Sequence, residues 1–361
     1  MTDVSMEPRI NQRKAPFPWF GGKRHAAPHV WAALGDVPHY VEPFAGSLAV
    51  LLERPHLPNR PYYSETVNDL DGLLVNFWRA VRLHPDETAD AAAWPVAEYD
   101  KHARSCRLLA WRESEAGARL AGDPDFCDPV MAGWWVWAVS CQIGAWGAGG
   151  PWWPDAEGRL RRRGGGTKAD LPHLSGDGQG ANHPGLREPG LGDDEPDGFT
   201  YHPMTMPQAH LWFRYLAARL RHVRILNGQW TRAVTNGASF TIPVRQGAGP
   251  AGYFLDPPYG DVGREDLYGK HESLTVSADV REWCITAGDD PRRRIVYAGY
   301  DTEGADLLAA GWREQEWFTA GFLSGGMGQI SKTGTHQQHR ERLWFSPHCV
   351  TPTDDPQGGL W

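Results

Sequence analysis

Residues 39–83 alternate between strand-like and helix-like patterns, and this alternation constrains the fold more than any other feature of the chain. "HYVE" is short and apolar, "SLAVLLER" has helical spacing, "PYYSETV" is β-rich and "LDGLLVNFWRAV" is amphipathic. Strands that alternate with helices imply a parallel sheet. The same grammar returns near residue 205 with "MPQAHLWFRYLAARLRHVRIL", a helix feeding a strand. It continues through "AGYFLD", a helix at about 278–287 and "RRRIVYAGY". A last candidate pair, "WREQEWFT" and "ERLWFS", encloses a Gly-rich loop. The expected fold is α/β, a Rossmann-like sheet interrupted by a large insertion.

The interruption has two parts. Residues from about 95 to 143 read as helical, and "MAGWWVWAVSCQ" is apolar nearly all round, as in a buried helix. From 144 to about 201 the chain is rich in Gly, Pro, Asp and Arg without periodicity, and a stretch of that length is either functional or disordered. The expected organisation is a discontinuous catalytic domain over 1–84 and 205–361, with 85–204 as the insertion.

Composition narrows the function classes. The 41% hydrophobic and 22% charged shares are those of a globular protein, and no apolar run approaches the ~20 residues of a membrane span. The N-terminal segment lacks a signal-peptide core, so a cytoplasmic location and no membrane partner are expected. The five cysteines are scattered, with neither a Cys-x-x-Cys pair nor a His at ligand spacing, so no metal site is expected. A net charge of −8 argues against a protein that coats nucleic acid by charge alone. Positive charge is nonetheless clustered at "RLRRRGGGTK" and "RRR" (292–294), which fits either a solvated face or a local basic cleft.

Three strand ends and one helix start carry candidate chemistry. In "YFLDPPYGD" an apolar strand stops at Asp256 because two prolines cannot continue a ladder, which leaves Asp256 and Tyr259 on a stiff loop. Carboxyl ends of strands are where open α/β sheets bind ligands. "YVEPFAGSLAV" is a strand breaking through a Gly-containing turn into a helix, a nucleotide-binding geometry that lacks the three-glycine dinucleotide fingerprint. "ETVNDLDG" ends the second strand on Asp69, about where such folds place a carboxylate on ribose hydroxyls. "PFPWFGGKRHAAPHVW" sets Gly21 and Gly22 before Lys23 at the start of an expected helix, where a ligand carboxylate can be met. Each stretch taken alone reads equally well as an ordinary turn.

Together and in this order, the four segments resemble the Dam-type, α-ordered DNA adenine-N6 methyltransferases of the D12 class, which use S-adenosylmethionine. The matches are Trp19, Gly21, Gly22 and Lys23; Glu42, Pro43, Phe44 and Gly46; Asp69; and Asp256, Pro257, Pro258 and Tyr259. The resemblance covers both ends of the chain and not the middle. It implies Asp256, Pro257 and Tyr259 as catalytic residues. Trp19, Gly22, Lys23, Glu42, Phe44, Gly46, Asp69 and Asp256 would contact the cofactor, and 85–204 would recognise the target. Double-stranded DNA is the implied partner, with Tyr259, Arg161, Arg162, Arg163, Lys168 and Lys332 as substrate contacts; a companion restriction endonuclease is a further possible partner. No metal is implied. Two departures bear on the cofactor: "NGQW" places Gln229 where relatives often carry an acid, and Leu48 stands where many have a glycine or another small residue.

The chemistry fits the residue types. Adenine N6 is a weak nucleophile because its lone pair is delocalised into the ring, so the amine must be held by acceptors, and Asp256 and the Pro257 carbonyl can supply two. Tyr259 can stack on a base flipped from the duplex. A cytosine-C5 enzyme would need a nucleophilic Cys after a Pro, and Cys141 in "VSCQ" reads as core. Cytosine-N4 transfer, RNA adenine methylation and a binding-only relative are the alternatives.

Overall fold

The computed structural model describes residues 14–17, 19, 22–55, 63–95, 98–141, 152–154, 160–162, 206–235, 249–258, 272–317 and 340–351. By their internal contacts these form two compact units.

The first unit is a seven-stranded sheet. Its strands are β1 (His39–Glu42), β2 (Ser64–Asp69), β5 (Val223–Asn227), β6 (Ala251–Leu255), β7 (Arg293–Tyr300), β8 (Arg313–Glu316) and β9 (Glu341–Phe345). The spatial order is β5-β2-β1-β6-β7-β9-β8. The pairs from β5 to β7 are parallel, and β9 runs antiparallel to both β7 and β8. Chain order therefore runs outward one way from β1 through β2 and β5, and the other way from β6 through β7. The point of reversal lies between β1 and β6, and ligands bind at such a switch point, outside the carboxyl ends of the strands.

All five residues of β6 and all four of β1 are buried, the pattern of parallel strands covered on both faces. One core cluster joins Val41, Tyr253, Leu255, Ile295 and Tyr297 to Val280 and Cys284 of the helix Glu272–Gly288. The expected helix at about 278–287 is therefore present and longer than its apolar pattern indicates. The strands read at "HYVE", "AGYFLD", "RRRIVYAGY", "WREQEWFT" and "ERLWFS" all appear. The last two pair antiparallel, as Arg313 opposite Phe345 through Glu316 opposite Arg342.

The sheet unit also holds helices α1 (Ala27–Leu34) and α2 (Ala49–Leu52), and the second unit is helical: α3 (Gly72–Leu83), α4 (Pro85–Ala92), α5 (Glu98–Arg112), α6 (Glu115–Gly122), α7 (Pro129–Ser140) and α8 (Met206–Leu220), with the short antiparallel pair β3 (Trp152–Pro154) and β4 (Leu160–Arg162). By contacts this unit spans 71–221, so α3 and α8, which flank the expected insertion of 85–204, pack with the helices rather than with the sheet.

The apolar "MAGWWVWAVSCQ" is α7, whose Trp135 and Trp137 are fully buried. Gly133 brings α7 against α4: a Cβ there would stand 2.5 Å from the Ala91 Cβ and 2.6 Å from the Thr88 carbonyl oxygen. Asp71 and Asp128 cap α3 and α7, accepting from the Leu73 and Met131 amides. Phe17 sits edge-on to Phe77 and Trp135, with Trp19 beside it. Arg104 lies over the rings of Trp94, Trp134 and Trp137. Cys141 is buried and its thiol is pushed up to about 11 by that burial, which suits a core residue and not a nucleophile.

No helix among the described residues is long and apolar enough to cross a membrane.

Candidate active site

The sheet's carboxyl edge at the β1/β6 switch point carries most of the expected residues. β1 ends at Glu42 and runs into a turn through Phe44 and Gly46 to Leu48. Gly46 has φ +47° and Leu48 has φ +55°. A left-handed conformation at a leucine costs roughly 1–2 kcal/mol. The Leu48 side chain is fully buried, which offsets that strain. The residue that departs from the resembling family at this turn is thus also its strained position.

Three strand ends are laced together here. The Gly46 amide donates to Asp69 Oδ2 at 2.9 Å, and the Ala45 amide donates to the Asn68 carbonyl at 2.8 Å. Asn68, buried in β2, donates through Nδ2 to the carbonyls of Pro43 (3.0 Å) and Gly228 (2.9 Å). Asn227 donates to the Asp69 carbonyl at 3.0 Å, and so does the Gly228 amide at 3.0 Å. The loops after β1, β2 and β5 therefore form one hydrogen-bonded floor. Neither Asn68 nor Asn227 stands out in the sequence; the available signal is an amide side chain at the carboxyl end of a strand. Gln229 follows as an exposed residue. Trp230, next in the chain, stacks on Phe44 with centroids 6.3 Å apart and planes at 26°.

Across the switch point, β6 delivers Asp256 and buried Pro257. Lys23 is 4% exposed, and its Nζ lies 3.1 Å from Asp256 Oδ2 and 3.6 Å from Glu341 Oε2. Burial alone would push this ammonium down; the two carboxylates reverse that and raise it, so Lys23 is charged. Glu42 is buried and accepts from the Tyr40 hydroxyl at 3.0 Å. Burial raises its carboxyl to about 8, opposed by the Tyr40 hydrogen bond and reinforced by the charge of Asp256, so Glu42 is largely protonated at neutral pH.

The structure thus brings Lys23, Glu42, Phe44, Gly46, Asp69, Asp256 and Pro257 to one edge of one sheet, with Gly22 exposed beside Lys23. Trp19 belongs by its contacts to the helical unit. Arg161 and Arg162 lie on β4. Gly21, Tyr259, Arg163, Lys168 and Lys332 lie outside the described residues. Among the described residues, no group of His, Cys, Asp and Glu could hold a metal ion.

The donor set suits S-adenosylmethionine. Asp69 stands at the second strand's end for hydroxyl groups, the Gly46 turn exposes backbone, and Phe44 on Trp230 supplies an aromatic wall. The floor also holds one buried acceptor, Asn68 Oδ1, with no donor among the described residues.

Residues 19–100 match the family described as D12 class N6 adenine-specific DNA methyltransferase. No curated protein matches the sequence. The matched segment holds Trp19, Lys23, the Glu42–Gly46 turn and Asp69, and it ends before Asp256, which the sheet topology sets beside that turn. That match, over residues 19–100 and carried on a mostly parallel seven-stranded sheet, supports a methyltransferase of the D12, N6 adenine-specific class.

Proposed function

We propose that the protein transfers the methyl group of S-adenosylmethionine to adenine N6 at specific sites in double-stranded DNA, acting on a base flipped out of the duplex. The observation that carries this reading is Asp256 at the end of β6, beside the β1 turn and fixed by the buried Lys23 ammonium. The cofactor, when bound, would supply an electrophilic methyl on a sulfonium; in a direct, in-line transfer the carbon–sulfur bond would break as the carbon–nitrogen bond forms, S-adenosylhomocysteine would leave and one N6 proton would be lost.

The chain's own residues do the positioning. Asp256 accepts from one N6–H and the Pro257 carbonyl accepts from the other, turning the nitrogen lone pair toward the methyl group. Pro257 and Pro258 hold these acceptors on a backbone with little freedom. Asp69 and the Gly46 turn hold the cofactor's ribose and methionine portions, Gly22, Glu42 and Phe44 complete that pocket, and Lys23 borders it with its ammonium on Asp256. Tyr259 stacks on the flipped base. Recognition of the target belongs to 85–204, where Arg161, Arg162, Arg163 and Lys168 meet phosphates, as does Lys332 from the later loop.

The test is methyl transfer from labelled cofactor to duplexes with and without adenine, followed by identification of the modified nucleoside. Label in N6-methyladenine supports the reading; label in a cytosine amine, or none, overturns it.

A further inference from the structure

Glu341 is absent from every motif of the sequence, yet the fold places it at the same edge as Asp256. It is the first residue of β9, and β9 is antiparallel to β7, with Glu341 opposite Tyr300 at the carboxyl end of β7. An antiparallel strand starts where its parallel neighbours end, so this one delivers its first side chain to the ligand-binding edge of the sheet. Glu341 is buried, and a buried carboxylate is tolerated only when it is paired. Its partner there is Lys23, at 3.6 Å.

Lys23 is held from two sides, by Asp256 at 3.1 Å and by Glu341 at 3.6 Å. A lysine on a flexible four-carbon stem fixes a carboxylate poorly unless its own ammonium is fixed. The two carboxylates stand at the ends of separate strands, so the ammonium is located by the sheet itself. We propose that Glu341 is a positioning residue for methyl transfer: it anchors the Lys23 ammonium so that Lys23 holds the Asp256 carboxylate in one orientation. This inference rests on the reading of Asp256 as the acceptor for the adenine amine. Glu341 acts through Lys23 and touches neither substrate nor cofactor. Glu42, an acid that feels the charge of Asp256, is tied to the Tyr40 hydroxyl.

Three variants of the full chain test this under single-turnover conditions at saturating cofactor and duplex: Glu341→Gln, Lys23→Met and Asp256→Asn. Glu341→Gln is expected to slow transfer at least tenfold while the Kd for S-adenosylmethionine and for duplex changes less than twofold. In the Lys23→Met background the same substitution should add less than a twofold loss, because the residue it acts through is already gone. Glu341→Asp keeps the charge but falls short of Lys23, so it should give the same split of rate from affinity; it serves if the Gln variant does not fold.

A Glu341→Gln rate within twofold of wild type, beside an inactive Asp256→Asn, overturns the inference and leaves the role of Asp256 standing. A full multiplicative loss in the Lys23→Met background also overturns it, since Glu341 would then act independently. An active Asp256→Asn overturns both, and is recognised by the behaviour of that variant alone.

Discussion

The two loops that flank the switch point are built by different physics. The loop after β1 is shaped by backbone: a left-handed glycine, a left-handed leucine and hydrogen bonds from Asn68 and to Asp69. The loop after β6 is shaped, among the described residues, by two prolines and an ion pair, with the Asp256 carboxylate set against a buried ammonium. Lost hydrogen bonds in the first loop distort a surface that receives a ligand. On the proposed function, a lost charge in the second leaves the surface intact and removes an acceptor for the adenine amine. One side of the site is therefore expected to govern affinity and the other to govern rate.

The largest expected effect breaks the second loop. Asp256→Ala should lower single-turnover methyl transfer by about two to three powers of ten, the loss of a charge-assisted hydrogen bond with added misplacement of the nitrogen. Binding of cofactor and of duplex, measured alongside, should stay near wild type; a matching loss of affinity would erase the division between the loops.

Asn68→Ala comes next, on the other side. It strands the Pro43 and Gly228 carbonyls beneath the turn, and at about 1–3 kcal/mol for a buried group left without its partner the protein should lose roughly 2–3 kcal/mol of stability. Denaturant unfolding measures this, and a change under about 0.5 kcal/mol would mean that the floor is not held by Asn68.

Asp69→Ala should weaken S-adenosylmethionine binding about tenfold, or about 1.4 kcal/mol, with less effect on duplex binding. Calorimetry decides between this and an Asp69 that only shapes the Gly46 turn, for which cofactor affinity would be unchanged.

The smallest effect is a slope. Glu42 is raised from 4.5 to about 8 in the fold, so the folded protein keeps a proton that the unfolded chain has released. Stability is then greatest below about 4.5 and falls as pH rises through about 8. Between pH 6 and 7 the wild type should lose about 1 kcal/mol relative to Glu42→Gln, which keeps an acceptor for Tyr40 but cannot ionise. Parallel pH dependence of Tm in the two proteins would show Glu42 to be ionised at neutral pH.

Much of the sheet was legible because apolar runs ending in Pro or Gly mark parallel strands with little ambiguity. β1, β6 and β7 lie where their runs end, and β2 extends the β-rich "PYYSETV" to Asp69. The helical unit was legible as helix but not in extent. α3 and α8 are amphipathic, and an amphipathic pattern shows that a face is buried without showing against what.

Within the site, Asp69 and Asp256 could be read because strand ends followed by breakers are conspicuous. Asn68, Asn227 and Glu341 could not. Each is one polar residue among others of its strand, and its importance depends on partners that only the strand order brings near. The pairing of Lys23 with Asp256 was hidden for the same reason, since nothing in "GGK" points to "DPP" rather than to a ligand.

The central position of β1 between β2 and β6 has a consequence during synthesis. The ribosome releases the β1 turn, Asn68 and Asp69 early, the whole helical unit next, and Asp256 only afterwards. Glu341 emerges later still. A nascent chain therefore carries the β1 and β2 loops of the floor first, gains the β5 loop only after helices α3 to α8, and gains Asp256 after that. Order of translation thus completes this edge of the sheet only after the region proposed to choose the target has been made.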